Sequence, residues 1–406
     1  MALKPTILLA STNNWLSPVR IAGTFSDLGC SVYAVCPPHN ALVVSSAVQR
    51  AHRYRSFQPL HSIKTAIETA NPDLVVPCDD LATAHLHAIY EREGHNGERS
   101  AIADLLLRSL GSPAGYSIID SRQQFLAIAR EEGVMVPDFA PTPNLSSLDA
   151  WTRENALPAV LKRDCTSGGE GVQIAESPQQ ARRAFRRLVS RRPTAAVFKR
   201  LLADRDTTLL ARLLRFEQPQ ISVQQFVAGQ DANVVAACWQ GEVLAQIAAT
   251  VLKTRGPQGP AAVIKLVENP GMSSAVKKIV RRLGLSGFAG FDFVIEDGAN
   301  KPFLIEINPR ATQACHLQLG IGRDLGAALL AAFFGCAPAK RSAVTKCDTI
   351  VLWPHVPDDL LPPELVRKAY FDTPQNDPEV VRLHASSRKR FTLLNAVKSL
   401  WNAARA

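Results

Sequence analysis

The stretch that most constrains this chain is Leu285–His316, LSGFAGFDFVIEDGANKPFLIEINPRATQACH. Two short apolar runs, Phe291–Ile295 and Phe303–Ile307, flank the polar segment EDGANK, and Asp297-Gly298 is a turn signal. Alternating apolar runs around such a dipeptide predict a β-hairpin. A turn centred near Ala299 sets Asp292 opposite Glu306, and Asn308 then shares a face with Glu306. Two carboxylates facing across a ladder repel one another. A bound divalent cation removes that penalty, and Asp, Glu and Asn oxygens are the hard ligands Mg²⁺ takes when it also bridges phosphates. Arg310 adds a positive charge two residues further on. An ordinary solvated hairpin fits the same pattern, so the rest of the chain has to decide.

At 406 residues the chain has room for two or three domains and a large core. An apolar content of 46% fits a globular protein, and no apolar run reaches membrane-span length. The start, MALKPTILLAST, reads as a first strand rather than a leader, so a cytoplasmic location is the expectation. Eight cysteines lie scattered without CxxC spacing, which predicts reduced and mostly buried thiols. The net charge of +10 is partly local: Arg182, Arg183, Arg186, Arg187, Arg191 and Arg192 crowd one predicted helix. That helix reads as a solvated basic face. Attraction of an anionic partner is the alternative, while aromatic residues do not interleave as single-strand binding needs.

Residues 1–115 alternate strands with helices, as in a parallel, doubly wound sheet. Strands are expected at Thr6–Ala10, Ser31–Val35 and Leu74–Val76, and helices at Val19–Leu28 and His61–Ala70. No GxGxxG follows the first strand, so no dinucleotide site is expected. Asp79 and Asp80 follow a strand end, where they either cap the next helix or face a ligand. Residues 116–150 read as a helix, Ser121–Glu132, and a Pro-rich connector. Ala159–Lys162 is a short strand ending in a cation, followed by the Gly-rich loop DCTSGGEGV, a sensible phosphate grip although not a Walker A motif. Ile221–Val227 reads as a strand, Asn233–Trp239 and Val243–Ala249 as a hairpin about Gln240-Gly241, KTRGPQGP (253–260) as a loop, and Met272–Leu283 as a helix. An Ala/Leu-rich helix covers 322–335, and the chain changes character beyond about 340.

In this order the motifs resemble the ATP-grasp superfamily over roughly residues 1–335, closest in flavour to carbamoyl-phosphate-synthase-like members and amino-acid ligases. The resemblance implies an α/β fold: a Rossmann-like domain (1–115), a two-lobed α+β ATP-grasp domain (116–340; small lobe 155–227, large lobe 228–340) and a C-terminal extension (341–406) of open role. It implies that Asp292, Glu306 and Asn308 hold Mg²⁺, or Mn²⁺ in its place. Lys162 and Arg122 would bind phosphates, and Ser167, Gly168, Gly169, Glu170 and Gly171 would close over the nucleotide. The backbone of Gln225, Phe226 and Val227 would read adenine, with Asp231 on the ribose. Arg310 would stabilise charge in phosphoryl transfer, and Arg255 is the candidate for gripping a substrate carboxylate. Two departures stand out: Gln224-Gln225 where many members carry acids, and Gln313 where carbamoyl-phosphate synthases carry a second arginine. A single grasp unit speaks against carbamoyl-phosphate synthesis. The implied activity is ATP-dependent joining of a small, amino-acid-like carboxylate to an amine, forming ADP. A carboxylate kinase or carboxyphosphate-forming enzyme, and a non-catalytic nucleotide-binding regulator, are the alternatives. The implied partners are ATP and the two small substrates, with no membrane, no nucleic acid, and a homo-oligomer left open.

Overall fold

The computed structural model describes residues 4–94, 100–164, 171–190, 220–256, 259–355 and 361–386. The N-terminal part is the expected parallel sheet, in the order β3-β2-β1-β4. Its strands are β1 (Thr6–Ala10), β2 (Ser31–Cys36), β3 (Arg50–Arg53) and β4 (Leu74–Pro77). Helices α1 (Ser17–Asp27), α2 (Pro59–Ala70) and α3 (Asp80–Gly94) connect or follow them. Strands β1 and β4 bury almost every residue, as parallel strands covered on both faces do. β3 was not legible in the sequence, because RAHR has only the small Ala51 as an apolar residue and none of its residues is fully buried.

After α4 (Ala101–Leu110), the short α5 (Tyr116–Asp120) leads into α6 (Arg122–Glu131), whose first turn is capped by the Ser121 hydroxyl. The Pro-rich connector contains more structure than its composition suggests. It holds β5 (Phe139–Pro141) and α7 (Leu145–Glu154), the latter started by a capping box between Asn144 and Ser147. β6 (Ala159–Arg163), β7 (Val172–Ala175), α8 (Pro178–Val189) and β8 (Ile221–Gln225) complete a small four-stranded sheet in the order β5-β8-β6-β7. One face of this sheet, with Leu161 and Val223, packs on α7 and α8. The other face carries Lys162, Ser222 and Gln224, all buried. On α8, Arg182, Arg183, Arg186 and Arg187 are exposed, and Arg182 Nε lies 2.7 Å from Asp149 Oδ1. Arg191 and Arg192 lie outside the described residues.

The second large element is a seven-stranded sheet, β13-β12-β9-β10-β11-β14-β15. Its long strands are β9 (Gly229–Trp239), β10 (Glu242–Thr254), β11 (Ala261–Leu266), β12 (Gly287–Glu296) and β13 (Pro302–Asn308). The expected hairpin about Gln240-Gly241 is present, with φ of 49° and 85° at the turn, the left-handed pair that a tight hairpin turn requires. Strand β10 runs on to Thr254, so the first two residues of the expected loop at 253–260 are strand. Strand β8 ends at Gln225 rather than Val227. Gly229 then crosses the hairpin so closely that a Cβ there would stand 2.1 Å from the Ile295 carbonyl oxygen.

Helices α6 and α9 (Pro270–Leu283) cover one face of the large sheet around Phe291, Phe293 and Met272. The other face, with Val235, Ile247 and Phe288, joins the N-terminal sheet and α10 (Leu325–Phe334) in a single core. The described residues beyond 340 fold back: β14 (Thr349–Val351) and β15 (Tyr370–Phe371) extend the sheet, with α11 (Pro363–Lys368) between them. Asp372 anchors this return. It is buried, accepts from Arg20 of α1, and lies 2.7 Å from His316 Nε2. Asp377 accepts a hydrogen bond from Ser45. Five thiols, Cys30, Cys36, Cys78, Cys238 and Cys315, are buried, and none of the described cysteines is bridged.

Candidate active site

The hairpin of β12 and β13 sets Asp292 opposite Glu306 and Gly290 opposite Asn308. A bulge follows: the partner of Phe293 is Leu304, which leaves Ile305 outside the ladder. The turn is therefore tighter than a hairpin centred on Ala299, and the bulge restores the register at the acids. Asn308 Nδ2 donates to Asp292 Oδ2 at 2.9 Å. Desolvation, then the facing Glu306, push the Asp292 carboxyl up to about 7. This is the electrostatic strain that two facing acids predict. Among the described residues no three His, Cys, Asp or Glu side chains form a metal cage. The set here is two carboxylates and an amide. That is too few for a dedicated protein cage but suits a Mg²⁺ that completes its shell with phosphate and water oxygens. On this donor chemistry the site fits the cation.

Two cations face these acids from different elements. Arg122, the first residue of α6, donates through Nη2 to Glu306 Oε1 at 2.7 Å and through Nη1 to Asp164 Oδ1 at 3.1 Å. It thus ties the loop end of β6 to the large sheet. Lys162 is 6% exposed, and desolvation followed by repulsion from Arg122 lowers its pKa to about 8, against the pull of Glu306, Asp292 and Asp164. Burial also raises the Asp231 carboxyl, which Lys162 opposes, so this acid of β9 belongs to the same cleft. The resulting cleft alternates charge: three acids, Asp164, Asp292 and Glu306, interleave with Arg122 and Lys162.

Arg310 lies at the hairpin's exit and is buried. Its Nε lies 2.6 Å and its Nη2 3.3 Å from the two oxygens of Asp80, and Nη2 also donates to Asn308 Oδ1 at 3.0 Å. The guanidinium sits 5.2 Å from the Trp15 ring centre. Of the two acids at the strand end, Asp79 is the cap, taking Ala82 N at 2.9 Å and Thr12 N at 2.7 Å, and Asp80 is the partner of Arg310.

At the hinge, Gln225 N donates to the Asp138 carbonyl at 2.7 Å and Phe226 N to Pro158 at 3.2 Å. Two of the three expected adenine-reading amides are therefore engaged within the protein. Gln225–Ala228 line a cleft of about 320 Å³ with Glu296, Asp297 and Phe303 of the hairpin tip. Gly171 is buried, its carbonyl accepting from Arg163 N at 2.9 Å. Ser167, Gly168, Gly169 and Glu170 lie outside the described residues. Arg255 lies in the turn between β10 and β11, with its amide on the Pro260 carbonyl. Sequence reasoning missed Asp164 and Asp80 as partners of the two arginines. Both acids stood in quoted motifs, but pairings across 42 and 230 positions have no local signal.

Two lobes that close a cation-and-carboxylate set between them define an α/β nucleotide-cleft architecture. Residues 127–314 match the family model of the ATP-grasp domain. The large chain of carbamoyl phosphate synthase from Vibrio cholerae is 24% identical over 205 residues, 50% of this chain and 17% of that one. The chain thus spans about a sixth of the length of this curated relative. Among solved structures, the L-amino acid ligase of Bacillus licheniformis shares the fold with a TM-score of 0.57 at 15% identity, over 84% of this chain and 77% of that one. The biotin carboxylase domain of Hydrogenobacter thermophilus 2-oxoglutarate carboxylase, solved with MgADP and bicarbonate, gives 0.56 at 12% identity, over 84% and 72%. No helix among the described residues is long and apolar enough to cross a membrane.

Proposed function

We propose that this protein is an ATP- and Mg²⁺-dependent ligase that activates a small carboxylate as an acyl phosphate for attack by an amine. The observation that supports this reading most is the facing pair Asp292 and Glu306, with Asn308, set against Lys162 and Arg122 across the cleft. Asp292, Glu306 and Asn308 would hold the metal, which when bound would supply Lewis-acid neutralisation of phosphate charge. The neighbours named above, an L-amino acid ligase and a carboxylase domain solved with MgADP, are consistent with such chemistry on this fold.

The remaining work falls to the chain's own side chains. ATP and a carboxylate are both anionic, so cations must offset their repulsion before transfer. Lys162 contributes a buried point charge. Arg122 exchanges its Glu306 partner for phosphate oxygens, and Asp164 retains the other half of its guanidinium. Arg310, fixed by Asp80 and Asn308, offers its charge in a preset orientation. No protein nucleophile is required.

A titration near 7 at Asp292 has a measurable consequence. Metal binding requires the carboxylate, so protons compete with it, and the competition fades as pH rises through 7. Mg²⁺ affinity without nucleotide is expected to be roughly ten-fold weaker at pH 6 than at pH 8 by calorimetry. A pH-independent affinity would remove Asp292 from the metal set.

The reaction is tested by ADP release from Mg·ATP against a panel of amino acids and small carboxylates, each with and without an amine. Release that needs both partners supports the ligase. Release with the carboxylate alone would favour a kinase or carboxyphosphate-forming enzyme.

A further inference from the structure

The described residues 349–355 and 361–386 of the extension fold back on the protein rather than trailing away from it. Strand β14 pairs with β11, Val351 opposite Val263, and Leu352 N donates to Ala262 O at 2.9 Å. The chain therefore leaves the sheet at the end where β10 turns into β11, and Arg255 sits in that turn. Three residues on, His355 Nε2 lies 2.8 Å from Gln313 Nε2. Gln313 belongs to the loop that starts at Arg310. Three separate segments thus converge beside the hairpin's exit: the turn with Arg255, the loop with Gln313, and the extension with His355. His384 closes the far side, its ring edge-on to Trp353 at 5.3 Å.

The proton positions follow from this contact. An amide nitrogen only donates, so His355 Nε2 accepts and the ring proton sits on Nδ1. That Nδ1 is buried and has no hydrogen-bond partner. A buried, unpaired donor is unfavourable unless a ligand supplies an acceptor. Burial, then Arg255 and His384, lower the His355 pKa to about 4, so the ring is neutral near pH 7. The convergence presents one permanent cation and one neutral N–H donor, a combination suited to a carboxylate. A second full cation would reduce the nucleophilicity of the oxygen that must attack phosphorus.

We infer that the C-terminal extension completes the substrate pocket, with Arg255 and the Nδ1–H of His355 holding the carboxylate that is phosphorylated and Gln313 orienting the imidazole. The inference rests on the ligase reading above. One carboxylate oxygen attacks the γ-phosphorus, the bond from that phosphorus to the bridging oxygen breaks, and ADP leaves with the electron pair. No proton moves in this step.

The test is steady-state ADP release from Mg·ATP by the full chain and by Arg255→Gln and His355→Leu. The carboxylates are bicarbonate, acetate, glycine, L-alanine, L-glutamate and 2-oxoglutarate, with ammonium as amine. The expected result is a KM for the active carboxylate raised at least about ten-fold in both variants, with KM for ATP within about two-fold. Arg255 is exposed, so its variant reports on binding even where His355→Leu folds poorly. Unchanged carboxylate KM in Arg255→Gln would overturn the pocket and leave the ligase standing. No release with any carboxylate, while Mg·ATP binds by calorimetry, would overturn the carboxylate reading and the pocket with it.

Discussion

Glu306→Gln is expected to lower ADP release by about a thousand-fold or more while the protein stays folded. The two effects separate because Glu306 does different things with and without ligands. In the free protein it accepts one hydrogen bond from Arg122 and is about one-third exposed. A glutamine keeps an acceptor there, and the change to a partly solvated ion pair is worth at most about 1 kcal/mol. On the proposed reading, Glu306 faces Asp292 in the working complex and supplies half of the negative charge that would draw the cation in. An amide cannot replace that charge. Turnover near normal in this variant would exclude Glu306 from the metal set, and a lost thermal transition would mean that the Arg122 contact is structural.

Lys162→Met is expected to move stability and binding in opposite directions. Lys162 is buried and its pKa is lowered to about 8. A lysine with a lower pKa folded than unfolded binds fewer protons when folded. Its contribution is therefore unfavourable below about 8 and is relieved as pH rises from there toward 10.5. Methionine has similar length and no charge to desolvate. The free variant should be more stable than the wild type at pH 7, by roughly 1–2 kcal/mol once lost attraction to Glu306, Asp292 and Asp164 is allowed for. Its affinity for ATP should fall by about a hundred-fold, because a buried cation beside phosphate has no substitute. Calorimetry and thermal unfolding on one sample read both. A variant that loses stability and keeps ATP affinity would make Lys162 a structural residue.

The two cations explain how the site exists before any ligand arrives. Arg122 neutralises Glu306 and Asp164, and Arg310 neutralises Asp80. These pairs keep the acids from driving the lobes apart, and each has to be rearranged or kept when the nucleotide enters. Arg122 is the one expected to move, since a single guanidinium cannot serve Glu306 and a phosphate through the same nitrogen. Arg310 is expected to stay, since both its Nε and Nη2 are engaged by Asp80 and its face by Trp15.

What could be read in advance followed the range of the forces involved. Short-range patterns spoke clearly: apolar runs in β1, β2 and β4, and turn residues at Gln240-Gly241 and Gly298. The pairing of Asp292 with Glu306 was legible, although the turn itself sits half a residue from the expected centre and the bulge restores the register at the acids. The bulge at Ile305 was not, since nothing in PFLIEIN distinguishes a bulged strand from a regular one. Strand β3 has only the small Ala51 as an apolar residue and sits on a sheet edge, so it gave no apolar run. β5 and α7 were hidden by prolines that mark turns as readily as strand starts. The folding-back of the extension rests on Asp372 and Asp377 meeting Arg20, His316 and Ser45, pairings that only the assembled structure brings together.

The account turns on a carboxylate oxygen reaching phosphorus, and isotope transfer reports that event directly. The active carboxylate, labelled with ¹⁸O in both oxygens, would be turned over with Mg·ATP and the amine, and the released phosphate analysed by mass spectrometry. An acyl phosphate predicts one ¹⁸O atom in each phosphate and one retained in the amide product. Phosphate free of label, in a reaction that still forms the amide product, would contradict the central claim.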